Sequence, residues 1–165
     1  MGLVTIQCAC GSVALAVMGA PILGAACYCG DCQKGGEQIE ALDDARAFRD
    51  AHGGTPYLLF RKDRVQTVRG SESLRDHRLD EASPTRRVVA SCCNTAMYLD
   101  FTKGHWFSIY RARFGEDAPP LQMRIFTKEK RGEEPLPGDV PIYPTFPLKF
   151  IATLMAARLA MLLRR

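Results

Sequence analysis

The sequence predicts a mainly β domain with one inserted helix and one C-terminal helix. Three observations lead there. Several short stretches alternate apolar and polar residues with the period of a half-buried strand. Glycine, proline, asparagine and aspartate punctuate the chain at short intervals between them. Only residues 37–52 and 148–165 have the composition and spacing of helices.

Taken in order, residues 3–7 (LVTIQ) are β-rich, and residues 12–18 set Val13, Leu15 and Val17 against Ser12, Ala14 and Ala16. The two runs read as a hairpin-like pair with Cys8 and Cys10 at their turn. Residues 37–52 place Ala41, Leu42, Ala45, Phe48 and His52 on one stripe, and Gly53-Gly54 supplies the stop. Strands return at 57–61, 64–70, 86–91, 95–101 and 105–114, the last around the only tryptophan. The polar stretch 70–85 reads as turns, with SLRDHRL as a single helical turn. Most of the ten prolines lie between Pro119 and Pro147, so residues 116–147 read as an irregular arm with one short strand near 121–126. The expected organisation is a β domain over 1–115, the proline-rich arm over 116–147 and an apolar helix over 148–165.

Composition bounds the function. With 47% apolar and 24% charged residues, the chain is globular rather than disordered. A net charge of +4 is too mild for a nucleic-acid footprint, so no nucleic-acid partner is expected. The start, MGLVTIQC, lacks the basic and apolar regions of a secretory signal, which predicts a cytoplasmic protein in a reducing compartment. The apolar run 150–163 is too short to cross about 30 Å of hydrocarbon, and Arg158 interrupts it. No transmembrane span is expected. Contact of 148–165 with a membrane surface, Arg164 and Arg165 at the polar boundary, is one use for this helix. A homodimer is another, because Ala152, Ala156 and Ala160 let a second helix approach closely.

Seven cysteines stand in three clusters: Cys8 and Cys10; Cys27, Cys29 and Cys32; and Cys92 with Cys93. An odd number precludes a complete internal disulfide framework. Packing alone gives no reason for the C-x-C-x-x-C spacing, whereas Gly30 within it lets the sulfurs converge. Zinc suits thiolates in a reducing compartment, and a structural site closes with four protein ligands where a catalytic one keeps three. The triplet offers no fourth local ligand: Tyr28, Gly30 and Asp31 fill the gaps, and a residue inside a C-x-x-C loop normally points away. Cys8 and Cys10 need distant partners, and only Cys92 and Cys93 remain for a clamp between the first hairpin and the later sheet.

The ordered motifs "CACGSVALAV", "CYCGDCQK" and "SCCNTAMYLDF" resemble the glutathione-dependent formaldehyde-activating enzyme and centromere-protein-V-like zinc family over about residues 5–112. The resemblance implies a β-tent fold of small antiparallel sheets. It also implies a structural zinc on Cys8, Cys10 and Cys93, an open zinc on Cys27, Cys29 and Cys32, and carbon–sulfur lyase activity on a glutathione-type adduct. Two departures mark a divergent branch. CCNT stands where the family closes with C-x-x-C-G, leaving Ala90 at its first cysteine and Cys92 as the nearby substitute. Tyr28 stands where the family has histidine. On a straight strand Cys92 and Cys93 would face opposite ways. They share one zinc only if the chain turns, as Asn94 permits. Otherwise the site has three thiolates and a water, or Cys92 turns toward the other zinc.

Two functions follow as expectations. In the first, the open Cys27, Cys29, Cys32 zinc holds a substrate sulfur or polarises an oxygen, with Tyr28 or Asp31 as proton carrier and His52 or His77 as further candidates. Lys34, Arg61 and Arg69 would then greet an acidic thiol. In the second, zinc only stabilises a module whose C-terminal helix meets a partner.

Overall fold

The computed structural model describes residues 2–163; Arg164 and Arg165, set above at a membrane boundary, lie outside them. The strands are β1 (Leu3–Gln7), β2 (Ala14–Met18), β3 (Leu23–Cys27), β4 (Thr55–Arg61), β5 (Val65–Arg69), β6 (Leu74–His77), β7 (Thr85–Ala90), β8 (Thr95–Phe101), β9 (Trp106–Tyr110) and β10 (Met123–Ile125). The helices are α1 (Gly30–Glu40) and α2 (Leu148–Leu162). The fold is mainly β, as the alternation predicts. A small sheet runs β1-β2-β5, and a large one runs β10-β3-β4-β9-β8-β7-β6. All neighbours are antiparallel except β10 and β3.

Period-2 alternation decides which core each residue enters. On β4, Leu58 and Phe60 face a core shared with Ile6, Leu15 and Val17 of the small sheet. Tyr57 and Leu59 face the other way, into a core that holds Cys27, Cys32 and the α2 residues Phe150 and Leu154. The large sheet is thus covered by the small sheet on one face and by helices on the other. A bulge interrupts the alternation on β8: Val88 pairs with Tyr98 and Val89 with Ala96, leaving Met97 without a partner. Met97 and Tyr98 consequently both enter the core beneath the small sheet.

Two elements differ from the expectation. The inserted helix is Gly30–Glu40, not 37–52. Helix propensity loses to tertiary contact at both ends. A Cβ on Gly35 would lie 2.2 Å from Arg87 Nε, and one on Gly36 2.6 Å from Arg49 Cδ, so these poor helix formers sit where only they fit. Downstream, Glu40 turns the chain back. Its carboxylate accepts from the backbone N–H groups of Phe48 (2.8 Å) and Arg49 (2.9 Å) and pairs with Arg49 Nε at 2.8 Å. Phe48 therefore reaches the core from a loop and meets the Tyr110 ring edge-on at 4.5 Å.

Residues 74–77 form an edge strand rather than a helical turn, because β7 offers a free edge and pairs from Leu74↔Ala90 to His77↔Arg87. The proline-rich arm carries the short strand expected near 121–126. Its short strand, 123–125, adds to β3 in parallel, with Ile125 beside Cys27. Arg124 Nη1 donates to Asp139 Oδ1 at 2.6 Å and fastens the following loop.

Candidate metal centres and an adjoining cavity

The structure collects all seven thiols into two groups. In each, the sulfurs lie within 4.8 Å of one another, so each group could hold a metal ion.

Cys8 and Cys10 flank the turn after β1. Cys92 and Cys93 sit in the turn between β7 and β8, where Cys93 N–H closes onto Ala90 O and Asn94 takes φ +48°. That left-handed residue lets adjacent cysteines face one point. Cys8 lies 3.6 Å from Cys10 and 3.8 Å from Cys92, Cys10 lies 3.3 Å from Cys92, and Cys92 lies 3.9 Å from Cys93. A zinc–sulfur distance of about 2.3 Å makes the edge of a tetrahedron about 3.8 Å. The spacing fits four thiolates around one zinc. All seven thiols are free.

Local bonds hold this group in place. Val13 N–H donates to Cys8 Sγ at 3.2 Å. Ser12 Oγ lies 3.3 Å from Cys10 Sγ. Hydrogen bonding to Ser12, first through its side chain and then through its backbone, brings the Cys10 thiol down to about 6. Burial and the bond to Cys10 push Cys92 up to about 12. Without a cation, four clustered thiols cannot all ionise, so they divide the protons unevenly.

The second group spans a strand-to-helix junction. Cys27 ends β3, Cys29 is the N-cap of α1, and Cys32 lies in its first turn. Thiolates there face the positive end of the helix dipole. Cys27 Sγ donates to Cys29 Sγ at 3.4 Å. Hydrogen bonds from Cys27 and Cys32 hold the Cys29 thiol down to about 3, while Cys27 is pushed far above the ordinary thiol range. For Cys32 the bond to Cys27 lowers the value, but Cys29 and burial outweigh it, and the thiol stands at about 12. The buried Tyr57 hydroxyl lies 3.9 Å from Cys32 Sγ as a donor; burial keeps that phenol protonated.

This group lines a cavity of about 440 Å³; Cys8, Cys10, Cys92 and Cys93 do not. Between the sheet and α2, the walls include Trp106, Phe126, Phe146, Phe150 and Leu154. Asp31 and Arg87 are the charged residues among them.

A sequence model of the glutathione-dependent formaldehyde-activating enzyme family matches residues 3–129. The chain belongs to this family. No curated protein matches it. A crystal structure of a Rhodobacter sphaeroides protein is similar over 84% of this chain and 99% of that one, with 15% identity and a TM-score of 0.49.

Within this family member, the proton carriers expected from sequence part company. Asp31 lies on the cavity wall. Tyr28 is fully buried outside it, and its hydroxyl donates to Asp50 Oδ2 at 2.7 Å. His77 Nε2 is 2.8 Å from Gln38 Oε1, and neither it nor His52 lines the cavity. Lys34, Arg61 and Arg69 do not line it either.

Residues that sequence reasoning missed surround the thiols. Arg87 is 2% exposed, makes no ion pair among the described residues, and donates from Nη2 to Asp31 O at 2.6 Å. Its charge lowers the values of Cys29 and Cys32. Arg87 shares strand parity with the buried Val89, and an arginine on an inward-facing strand position was the available signal. Glu129 Oε2 accepts from the Gly30 N–H at 2.8 Å, so the arm caps the helix on which two of the three cysteines stand.

Proposed function

We propose that this protein is a zinc-dependent enzyme that handles a thiol adduct at Cys27, Cys29 and Cys32, while Cys8, Cys10, Cys92 and Cys93 hold a second zinc that clamps the fold. The observation that carries this reading is the different surroundings of the two groups. Four sulfurs, enough to close a zinc site, gather within 4.8 Å of one another away from the cavity, whereas three sulfurs border a space large enough for a ligand. Zinc bound by three thiolates supplies a Lewis acid with a preference for a further sulfur ligand.

The chain's own groups suit cleavage of a thiol–aldehyde adduct. As the carbon–sulfur bond breaks, its electron pair passes to sulfur, and the adduct hydroxyl loses a proton as the carbonyl forms. Asp31, the only carboxylate on the cavity wall among the described residues, is the candidate to take that proton. Arg87 offsets the negative charge collected by the thiolates. Tyr57, protonated and directed at Cys32, holds that sulfur in place.

Zinc content of reduced protein tests the assignment, beside an assay for carbon–sulfur cleavage of thiol–aldehyde adducts, the glutathione adduct of formaldehyde included. Wild type is expected to bind two zinc ions, and Cys8→Ser and Cys29→Ser to lose one each. Cys29→Ser alone is expected to abolish cleavage while the protein stays folded. Equal cleavage by wild type and Cys29→Ser would overturn the reading.

A second role rests on α2. Leu148, Ile151, Met155, Leu159 and Leu162 form an exposed stripe along it. Among the described residues no helix is long and apolar enough to cross a membrane. The stripe supports self-association through α2, read by sedimentation of the full chain against Met155→Glu. A monomer at all concentrations would overturn it.

A further inference from the structure

We infer that the sulfur compound handled here carries an apolar group: an alkyl or aryl thiol, free or as its adduct with a small aldehyde, rather than a charged peptide thiol. The inference rests on the proposed thiol site and names what that site accepts.

The walls carry it. Beyond the three cysteines, the cavity is bounded by Leu59, Leu99, Phe101, Trp106, Ile125 and the aromatic cluster under α2. In that cluster the Phe146 ring meets Phe126 edge-on at 4.6 Å between centroids and stacks on Phe150 at 4.7 Å. Such a surface rewards apolar contact and leaves a charged group without a partner.

The charges on the wall are few and partly engaged. Among the described residues Arg87 is the only cation there, and it lies beside the thiols, against Gly35 and bonded to Asp31 O. Glutathione brings two carboxylates and an ammonium. The wall offers one arginine and one aspartate for three charges, and the arginine already balances the thiolates. An alkyl or aryl group has no such deficit, and about 440 Å³ is ample for one.

The roof agrees. Phe150 and Leu154 are the buried residues of α2, and both line the cavity, so the helix turns its only buried face to this space. The polar wall residues Thr85 and Ser108 are neutral.

Trp106, the only tryptophan and a wall residue, is a built-in reporter. Its fluorescence is to be titrated in two arms: metal-free reduced protein with butan-1-ol, hexan-1-ol and glutathione, and zinc-loaded protein with butane-1-thiol, hexane-1-thiol and glutathione. Affinity is expected to rise roughly three- to fourfold per added methylene in both arms, with glutathione at least 100-fold weaker than hexane-1-thiol. Ile151→Lys, at a wall position 45% exposed, is expected to weaken hexane-1-thiol several-fold at protein concentrations where sedimentation shows a monomer. Leu154→Ala, which opens the roof, is expected to weaken it further. Chain-length dependence for the alcohols with no gain from sulfur and zinc would leave the apolar assignment standing and remove the thiol site. Glutathione binding as tightly as hexane-1-thiol, or no response to chain length, would overturn the apolar assignment even if zinc binds thiols.

Discussion

Ala9 and Thr95, far apart in sequence, are joined by a hydrogen bond from the Ala9 N–H to Thr95 Oγ1 at 3.0 Å. The same hydroxyl lies 3.0 Å from Cys93 Sγ. One side chain therefore ties the turn carrying Cys8 and Cys10 to the turn carrying Cys93. It also lowers the Cys93 thiol against the opposing effect of burial. Replacing Thr95 by valine keeps the shape and removes both bonds. Zinc affinity of the four-thiol group is expected to fall about 10–100-fold, read by competition with a chromophoric chelator. The three-thiol group serves as the internal control and should not change.

Metal removal should act on stability through the four-thiol group. A ligand present at 1,000 times its dissociation constant stabilises the folded state by about 4 kcal/mol. For a chain of this size that is a Tm shift of roughly 10 °C. Cys8→Ser is expected to lower Tm by this amount in calorimetry, and chelation, which strips both groups, by more. Cys29→Ser should lower it less, because that group lies within one core and bridges no distant turns.

Gly35 and Arg87 make a close approach that should not tolerate a methyl group. In Gly35→Ala the new Cβ would meet the buried guanidinium at 2.2 Å. Arg87 must then leave its place beside the thiols, at a cost of about 2 kcal/mol in urea unfolding. Gly36→Ala meets the Arg49 side chain, which is partly exposed and able to shift, and should cost less.

Glu40 gives a pH signature. Burial alone would raise its carboxyl, but the backbone bonds from Phe48 and Arg49 and the Arg49 side chain prevail and lower it below the model-peptide value of 4.5. A carboxylate lowered on folding contributes stability that is complete above its unfolded value and is lost as pH falls through its folded value. Glu40→Gln is expected to lose about 1–2 kcal/mol at pH 7, and the gap from wild type should narrow below pH 4.5. Comparing the two proteins at each pH cancels the common effect of acid on metal binding.

Much of this was legible in the residues. Residues 95–101 form β8 over the expected bounds, although the bulge puts Met97 and Tyr98, set on opposite faces by the pattern, into one core. The cysteine spacing named all seven thiols that gather, and Asn94 announced the turn between β7 and β8. Residues 37–52 misled because their helical stripe is real, yet Glu40 does more for the fold as an acceptor for Phe48 and Arg49. The C-terminal helix was legible as a helix, but not as the roof of a cavity.

By itself, the sequence determined the local matters: where strands and turns fall, and that cysteines stand in three clusters. Periodicity and spacing express short-range geometry, which each segment carries with it. Only the tertiary structure decided that Cys92 joins Cys93 beside Cys8 and Cys10 rather than turning toward the other thiols, that Arg87 lies by those three, and that Phe150 and Leu154 roof a space above them. Those outcomes depend on strand register and on which sheet face each helix covers, and such long-range pairings leave no periodic trace along the chain.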